Sequence, residues 1–167
     1  KSLIGDAPNL ASIAGSVMSV AAFSSSASAI LLGRLADKIG QKRVLVACVL
    51  GVALIHVPQS MVSTPGQLMA LRAIQGIFMG GIMPTANALL AQSVANENRG
   101  TVFGFSQSAQ AGGRAVGPIL GAGVSNAWGM PSAFLVTAGI FAAMSVLVAG
   151  FVRAPRKVAD QAQALQA

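Results

Sequence analysis

Charge is scarce in this sequence. Of its 167 residues, 9% are Asp, Glu, Lys or Arg and 54% are hydrophobic. Soluble domains carry about 25% charged residues. A soluble domain this poor in charge would lack a solvated surface, which leaves lipid as the expected solvent. Carboxylates are the scarcest charges, with four in all and none inside a long apolar run. There is one histidine, His56, and one cysteine, Cys48. A single thiol forms no internal disulfide and marks no redox compartment. No cluster of metal ligands can be assembled from so few donors, and neither a metal nor a cofactor is expected. The net charge of +7 sits at the ends of apolar segments rather than in a patch interleaved with aromatics, so nucleic acid is not an expected partner.

What is present is length without charge. Five apolar stretches cover approximately residues 9–32, 44–62, 68–94, 101–125 and 131–152. Each approaches or exceeds the roughly 20 residues that cross about 30 Å of hydrocarbon at 1.5 Å per residue. Helix is the expected form, because a single span in lipid can satisfy its backbone in no other way. The 19 glycines suit helices that pack closely. The breaks have turn chemistry: Ser63-Thr64-Pro65-Gly66, Asn96-Glu97-Asn98-Arg99-Gly100 and Asn126-Ala127-Trp128-Gly129-Met130-Pro131. Trp128 falls where an interfacial anchor would sit. The first run has no basic flank before it and no small-residue cleavage site after it, so it does not read as a signal peptide. The chain opens at Lys1 and reads as a fragment of a longer protein.

The stretch from Gly33 to Arg43 holds five of the fifteen charged residues. Alternate connections divide the cations unevenly. One side has Arg34, Lys38, Lys42, Arg43, Arg99, Arg153, Arg156 and Lys157; the other has Lys1 alone. The positive-inside rule puts the rich side in the cytoplasm, with residues 153–167 as a cytoplasmic tail. Arg72 and Arg114 remain inside spans, where a charge costs roughly 2.5–3.5 kcal/mol on insertion scales. Arg114 is expected to face substrate in an aqueous cavity. Arg72 is expected either to do the same or to snorkel outward.

Three motifs carry a family resemblance. Gly33, Leu35, Ala36, Asp37, Lys38, Gly40, Gln41, Lys42 and Arg43 resemble the signature loop of the major facilitator superfamily, with Gln41 where that family often has Arg. Leu68, Arg72, Gln75 and Gly76 resemble its fourth-helix motif. Gly113, Gly117, Pro118 and Gly121 resemble the fifth-helix motif of its drug-exporting antiporters, with Ala122 replacing the usual last Gly. Elementary chemistry fits these positions. Gly40 permits a tight turn, Pro118 should kink its helix, and the flanking glycines form a flat packing face.

The resemblance implies an all-α integral membrane fold whose five helices, over residues 1–152, form most of one six-helix transporter half. The basic tail favours the C-terminal half. It implies drug:proton antiport by alternating access, in a bacterial inner membrane, with the other half of the polypeptide, a small-molecule substrate and protons as partners. It also implies that Asp37 belongs to a charge network, here with Arg99, and Glu97 with Arg43 or Lys42, clamping one gate state. Asn87, Gln107 and Gln110 are candidate substrate-facing amides, and Ser24, Ser25, Ser26 and Ser28 are expected packing contacts. His56 reads as a satisfied interface residue, and no carboxylate lies within a span, so the protonatable group that proton coupling needs is expected in the other half of the polypeptide. Uptake of a metabolite by the same fold is the near alternative. A non-transporting membrane scaffold is more distant. Rhomboid-type catalysis is more distant still, because Gly104-Phe105-Ser106-Gln107 lacks the needed Gly-x-Ser-Gly.

Overall fold

The computed structural model describes residues 10–152, with side chains from residue 15 onward. The leader with Lys1 and the tail with Arg153, Arg156 and Lys157 lie outside the described residues. The described chain forms α1 (Leu10–Ile39), α2 (Gln41–Gln59), α3 (Pro65–Ser93), a 3-10 turn (Asn96–Asn98), α4 (Arg99–Trp128) and α5 (Met130–Phe151), and among the described residues there is no strand. The fold is all-α. Four helices are long and apolar enough to cross a membrane: Gly15–Ile39 of α1, then α2, α3 and α5. The helix α4 is as long but carries Arg114 and several amides and hydroxyls, and it falls outside that group.

The helix ends correct the expected boundaries. The Gly33–Arg43 stretch is not a loop. Helix α1 continues through Leu35, Ala36, Asp37 and Lys38 to Ile39, and α2 starts at Gln41. Only Gly40 is non-helical, at φ 107° and ψ 134°. Its N–H bonds the Ala36 carbonyl at 2.9 Å and its carbonyl accepts from Val44 N at 3.3 Å, so one residue closes both helices. The second break is equally short. Helix α4 runs through Trp128, and Gly129, at φ 84°, is the whole connection to α5. A φ in this range strains any residue with a Cβ. Between α2 and α3 the turn is longer. Thr64 caps α3 by accepting from Gln67 N at 3.3 Å, Gln67 Oε1 accepts from Ser63 N at 3.2 Å, and Pro65 fills the first helical position.

The tightest seam joins α1 to α3, which run parallel. A Cβ at Gly76 would meet the Ala21 backbone oxygen, and one at Gly80 would meet the Ser25 backbone oxygen and Ser28 Oγ. At Gly81 it would lie 2.6 Å from Cys48 Sγ and 2.8 Å from Leu32 Cδ1. At Gly76 and Gly80 the nearest obstacle is backbone, which cannot relax by a rotamer change; at Gly81 it is the side chains of Cys48 and Leu32. Ser28 donates to the Ile77 carbonyl at 2.9 Å across the seam and to Ser25 O at 3.1 Å, as a packing serine does. Helix α2 lies antiparallel on α3. Its apolar face buries Val44, Leu45, Cys48, Val49, Val52 and Ala53. Leu45, Val49 and Leu89 form a cluster that Phe141 and Val148 of α5 complete. Helix α4 touches α5 and buries none of its residues.

Candidate functional site

Two polar pairs meet across the antiparallel ends of α2 and α3. Each pair sits three residues apart on one helix face: His56 and Gln59 near the end of α2, Arg72 and Gln75 near the start of α3. All four are enclosed by apolar helix. His56 is 5% exposed, Gln59 2% and Gln75 8%. Arg72 Nη1 donates to Gln75 Oε1 at 2.9 Å, and Gln59 Nε2 donates to the same oxygen at 2.9 Å. Gln75 Nε2 lies 3.5 Å from His56 Nε2, and His56 Nδ1 lies 2.7 Å from the Val52 carbonyl.

The donor count fixes the directions. A carbonyl only accepts, so His56 Nδ1 carries a hydrogen. In the neutral ring Nε2 then bears a lone pair and accepts from Gln75. Helix α5 closes the site with two rings. Phe141 stacks on His56 at 5.9 Å between centroids, and Phe134 lies tilted to it at 6.3 Å. The Arg72 guanidinium sits 5.8 Å from the Phe134 centroid, within cation–π range. Beside this cluster a cleft of about 240 Å³ is lined by Ala21, Ser25, Arg72, Gln75, Gly76 and Met79. Arg72 is therefore held by an amide and a ring, with its edge on an open cleft.

The signature residues gather at the opposite end of the bundle. Gly33, Asp37, Lys38, Gly40, Lys42 and Arg43 surround the junction of α1 and α2, and Glu97 and Arg99 stand where α3 passes to α4. Among the described residues, neither expected ion pair is formed. Asp37 Oδ1 instead accepts from Gln41 Nε2 at 2.8 Å, one helical turn on and across the Gly40 junction. Arg99 Nη2 reaches back to the Ala91 carbonyl at 2.9 Å, satisfying an end group of α3. Lys42 Nζ donates to the Ala149 carbonyl at 2.7 Å, tying α2 to the end of α5. Nearby carbonyls freed at helix ends have taken the cations that the carboxylates were expected to hold.

Helix α4 carries the third group. Gln107, Gln110, Arg114, Gly117, Pro118 and Gly121 recur at spacings of three, four and seven, which sets them along one stripe of a helix. Gln107 and Arg114 are exposed, and Gln110 donates to Ser106 Oγ at 3.3 Å. A Cβ at Gly113, Gly117 or Gly121 would meet nothing within 4 Å. Asn87 of α3 is half-buried. The polar stripe and its glycines are thus present, with their facing surface uncovered.

His56 and Gln59 are the residues that sequence reasoning missed as members of a site. The available signal was the mirrored pair spacing, His56/Gln59 and Arg72/Gln75, on either side of a Pro-Gly turn. An antiparallel hairpin brings two such pairs together.

Comparison with known proteins bears on the whole chain. The Major Facilitator Superfamily model matches residues 7–166. Multidrug resistance protein MdtG of Erwinia billingiae is 40% identical over 138 residues, which is 83% of this chain and 34% of that protein. The proteins of the same name from Salmonella typhimurium and Dickeya zeae are 36% and 37% identical over 140 residues, or 84% of this chain and 35% and 34% of theirs. The chain spans about a third of the length of the curated relatives it matches. With a family model covering nearly every residue and apolar helices of spanning length, this is an integral membrane chain that belongs to the major facilitator superfamily.

Proposed function

We propose that the protein carrying this chain is a secondary active exporter of small-molecule drugs, driven by protons moving the other way through alternating access. The observation that carries this reading is an intramembrane arginine poised on a cleft. Arg72 lies within a membrane-spanning helix, is anchored by Gln75 and Phe134, and borders the space beside α1. Charge kept inside an apolar span is expensive and marks substrate or ion pathways. The names of the multidrug resistance relatives supply the class of substrate.

The Gly33–Arg43 end faces the cytoplasm, on the cation count, and the His56–Arg72 end faces outward. The tail over residues 153–167 is cytoplasmic, and α1 to α5 serve as helices two to six of one six-helix half. The uncovered stripe of α4, with Gln107, Gln110 and Arg114, together with Asn87 of α3, faces the substrate path and the other half of the polypeptide. Asp37 exchanges Gln41 for Arg99, and Glu97 takes up Arg43 or Lys42, when the cytoplasmic gate closes. Lone exposed pairs of this kind are worth roughly 0–1 kcal/mol, enough to bias a gate and too little to lock it. No catalytic group is invoked, because the work is done by relative motion of helix bundles.

The test is transport. The protein that carries this chain is reconstituted in liposomes loaded with ethidium, and a proton gradient is imposed. Efflux that starts with the gradient and stops with a protonophore supports the reading. Gradient-driven accumulation in the inward sense would assign uptake, and flux indifferent to protons would remove the antiport step.

A further inference from the structure

We propose that His56 is the protonatable residue of these spans and that Gln75 and Gln59 pass its change of charge on to Arg72 by turning their side-chain amides, the proton itself staying on His56. This rests on the proton-driven reading above. The argument starts from a group left without a partner. Gln59 Oε1 is buried and accepts no hydrogen bond among the described residues, while Gln59 Nε2 and Arg72 Nη1 crowd onto the single oxygen of Gln75. A buried amide with an empty acceptor is destabilising. The cluster is therefore one donor short in its neutral form.

A proton on His56 supplies that donor. It adds to the Nε2 lone pair in place of the Gln75 N–H and is returned to water when the cycle resets, so no covalent bond other than this N–H is made or broken. Nε2–H can no longer accept from the Gln75 amide. Gln75 turns and offers Oε1 to Nε2–H at the place where its nitrogen now stands. Its nitrogen then points at Gln59 and Arg72. Gln59 turns in its own place and receives that N–H on Oε1, the atom that now has no partner, while its Nε2 moves to the position that Oε1 leaves. Arg72, facing a nitrogen instead of an oxygen, loses its acceptor. The positive ring on the same cluster adds like-charge repulsion. The guanidinium is released from Gln75 toward the cleft that it already borders.

The surroundings contain no competing titration among the described residues. Helix α5, which supplies Phe134 and Phe141, has no ionisable residue. Helix α3 contributes Arg72 alone near this end. On α2 itself the other titratable groups, Cys48, Arg43 and Lys42, lie two turns or more toward the far end, and Asp37 and Glu97 belong to that far end too. In this role His56 carries the proton, while Gln75 and Gln59 are positioning residues for Arg72.

Two readouts test this on the intact protein. The first is spectroscopic: 15N-labelled histidine in the wild type, with His56→Gln used to assign the resonance. The expected neutral ring is the Nδ1–H tautomer, converting to imidazolium as pH falls; in Gln59→Leu, which removes the waiting acceptor, the midpoint moves to lower pH. A ring that stays neutral across the working pH range, or a midpoint unchanged by Gln59→Leu, overturns the proposal. The second is the pH profile of gradient-driven ethidium efflux. The wild-type rate should change by up to tenfold per pH unit through the His56 titration, as linkage to one proton requires, and His56→Gln should flatten it. Active His56→Gln protein with the wild-type profile overturns the switch and leaves proton-driven export standing. Wild-type protein without proton-driven flux removes the functional reading, while the resonance still decides the switch.

Discussion

Helices α3 and α4 are built from the same parts. Each is about 30 residues long and carries a run of close glycines, an internal proline and an arginine. In α3, Gly76 and Gly80 meet α1 backbone, Gly81 meets Cys48 and Leu32, and Arg72 has both an amide and a ring. In α4, Gly113, Gly117 and Gly121 meet nothing, and no hydrogen bond to Arg114 is formed among the described residues. A glycine pattern therefore announces close approach without saying what approaches. The α3 set is satisfied within this chain and serves its stability. We assign the α4 set to the substrate path and the facing half.

Substitutions can break that comparison. The largest effect is expected for Gly80→Leu. Its side chain would be driven into the Ser25 backbone, and overpacking costs about 1–3 kcal/mol, more where backbone blocks relaxation. The folded fraction recovered in detergent should fall severalfold. Gln75→Leu comes next. It strips an acceptor from Arg72 and from Gln59 and a donor from His56, and orphaned buried groups cost about 1–3 kcal/mol each before rearrangement. Thermal unfolding should begin several degrees lower. Gly40→Ala should cost about 1–2 kcal/mol, because φ 107° is strained for a residue with a Cβ. The smallest stability change, within about 0.5 kcal/mol, is expected for Gly117→Leu and Arg114→Gln. Both should nevertheless cut efflux about tenfold or more. If Gly117→Leu unfolded the protein as Gly80→Leu does, the two glycine sets would have the same role and the contrast would fail.

Much of the architecture could be read from the chain, because lipid restricts a spanning segment to helix. The five segments and the family motifs followed from uncharged length and from residues in fixed register. The boundaries were less legible. Charge at Arg34, Asp37 and Lys38 marks where a chain meets water, and a helix can continue past that point, as α1 does to Ile39. Gly40 and Gly129 were recognisable as turn residues, but not that each would be the entire turn. The site was harder still. His56 read as a lone imidazole because its partners Gln59 and Gln75 become neighbours only when α2 and α3 fold back on one another. The Asp37–Arg99 and Glu97–basic pairs were drawn from opposite charge on the same side. Opposite charge says nothing of the nearer competitors, Gln41 for Asp37 and the Ala91 carbonyl for Arg99.

The most direct test of the α4 assignment is thiol accessibility. Cysteines placed singly at Gln107, Gln110 and Arg114, and at Ser28 in the α1/α3 seam as the buried control, are exposed to a membrane-impermeant maleimide in whole cells and in inverted vesicles, with and without ethidium. The account predicts rapid labelling of the three α4 positions, slowed by ethidium, and none at Ser28. Labelling of the α4 positions only by a lipid-soluble reagent, unaffected by ethidium, would place that stripe against lipid and contradict the account.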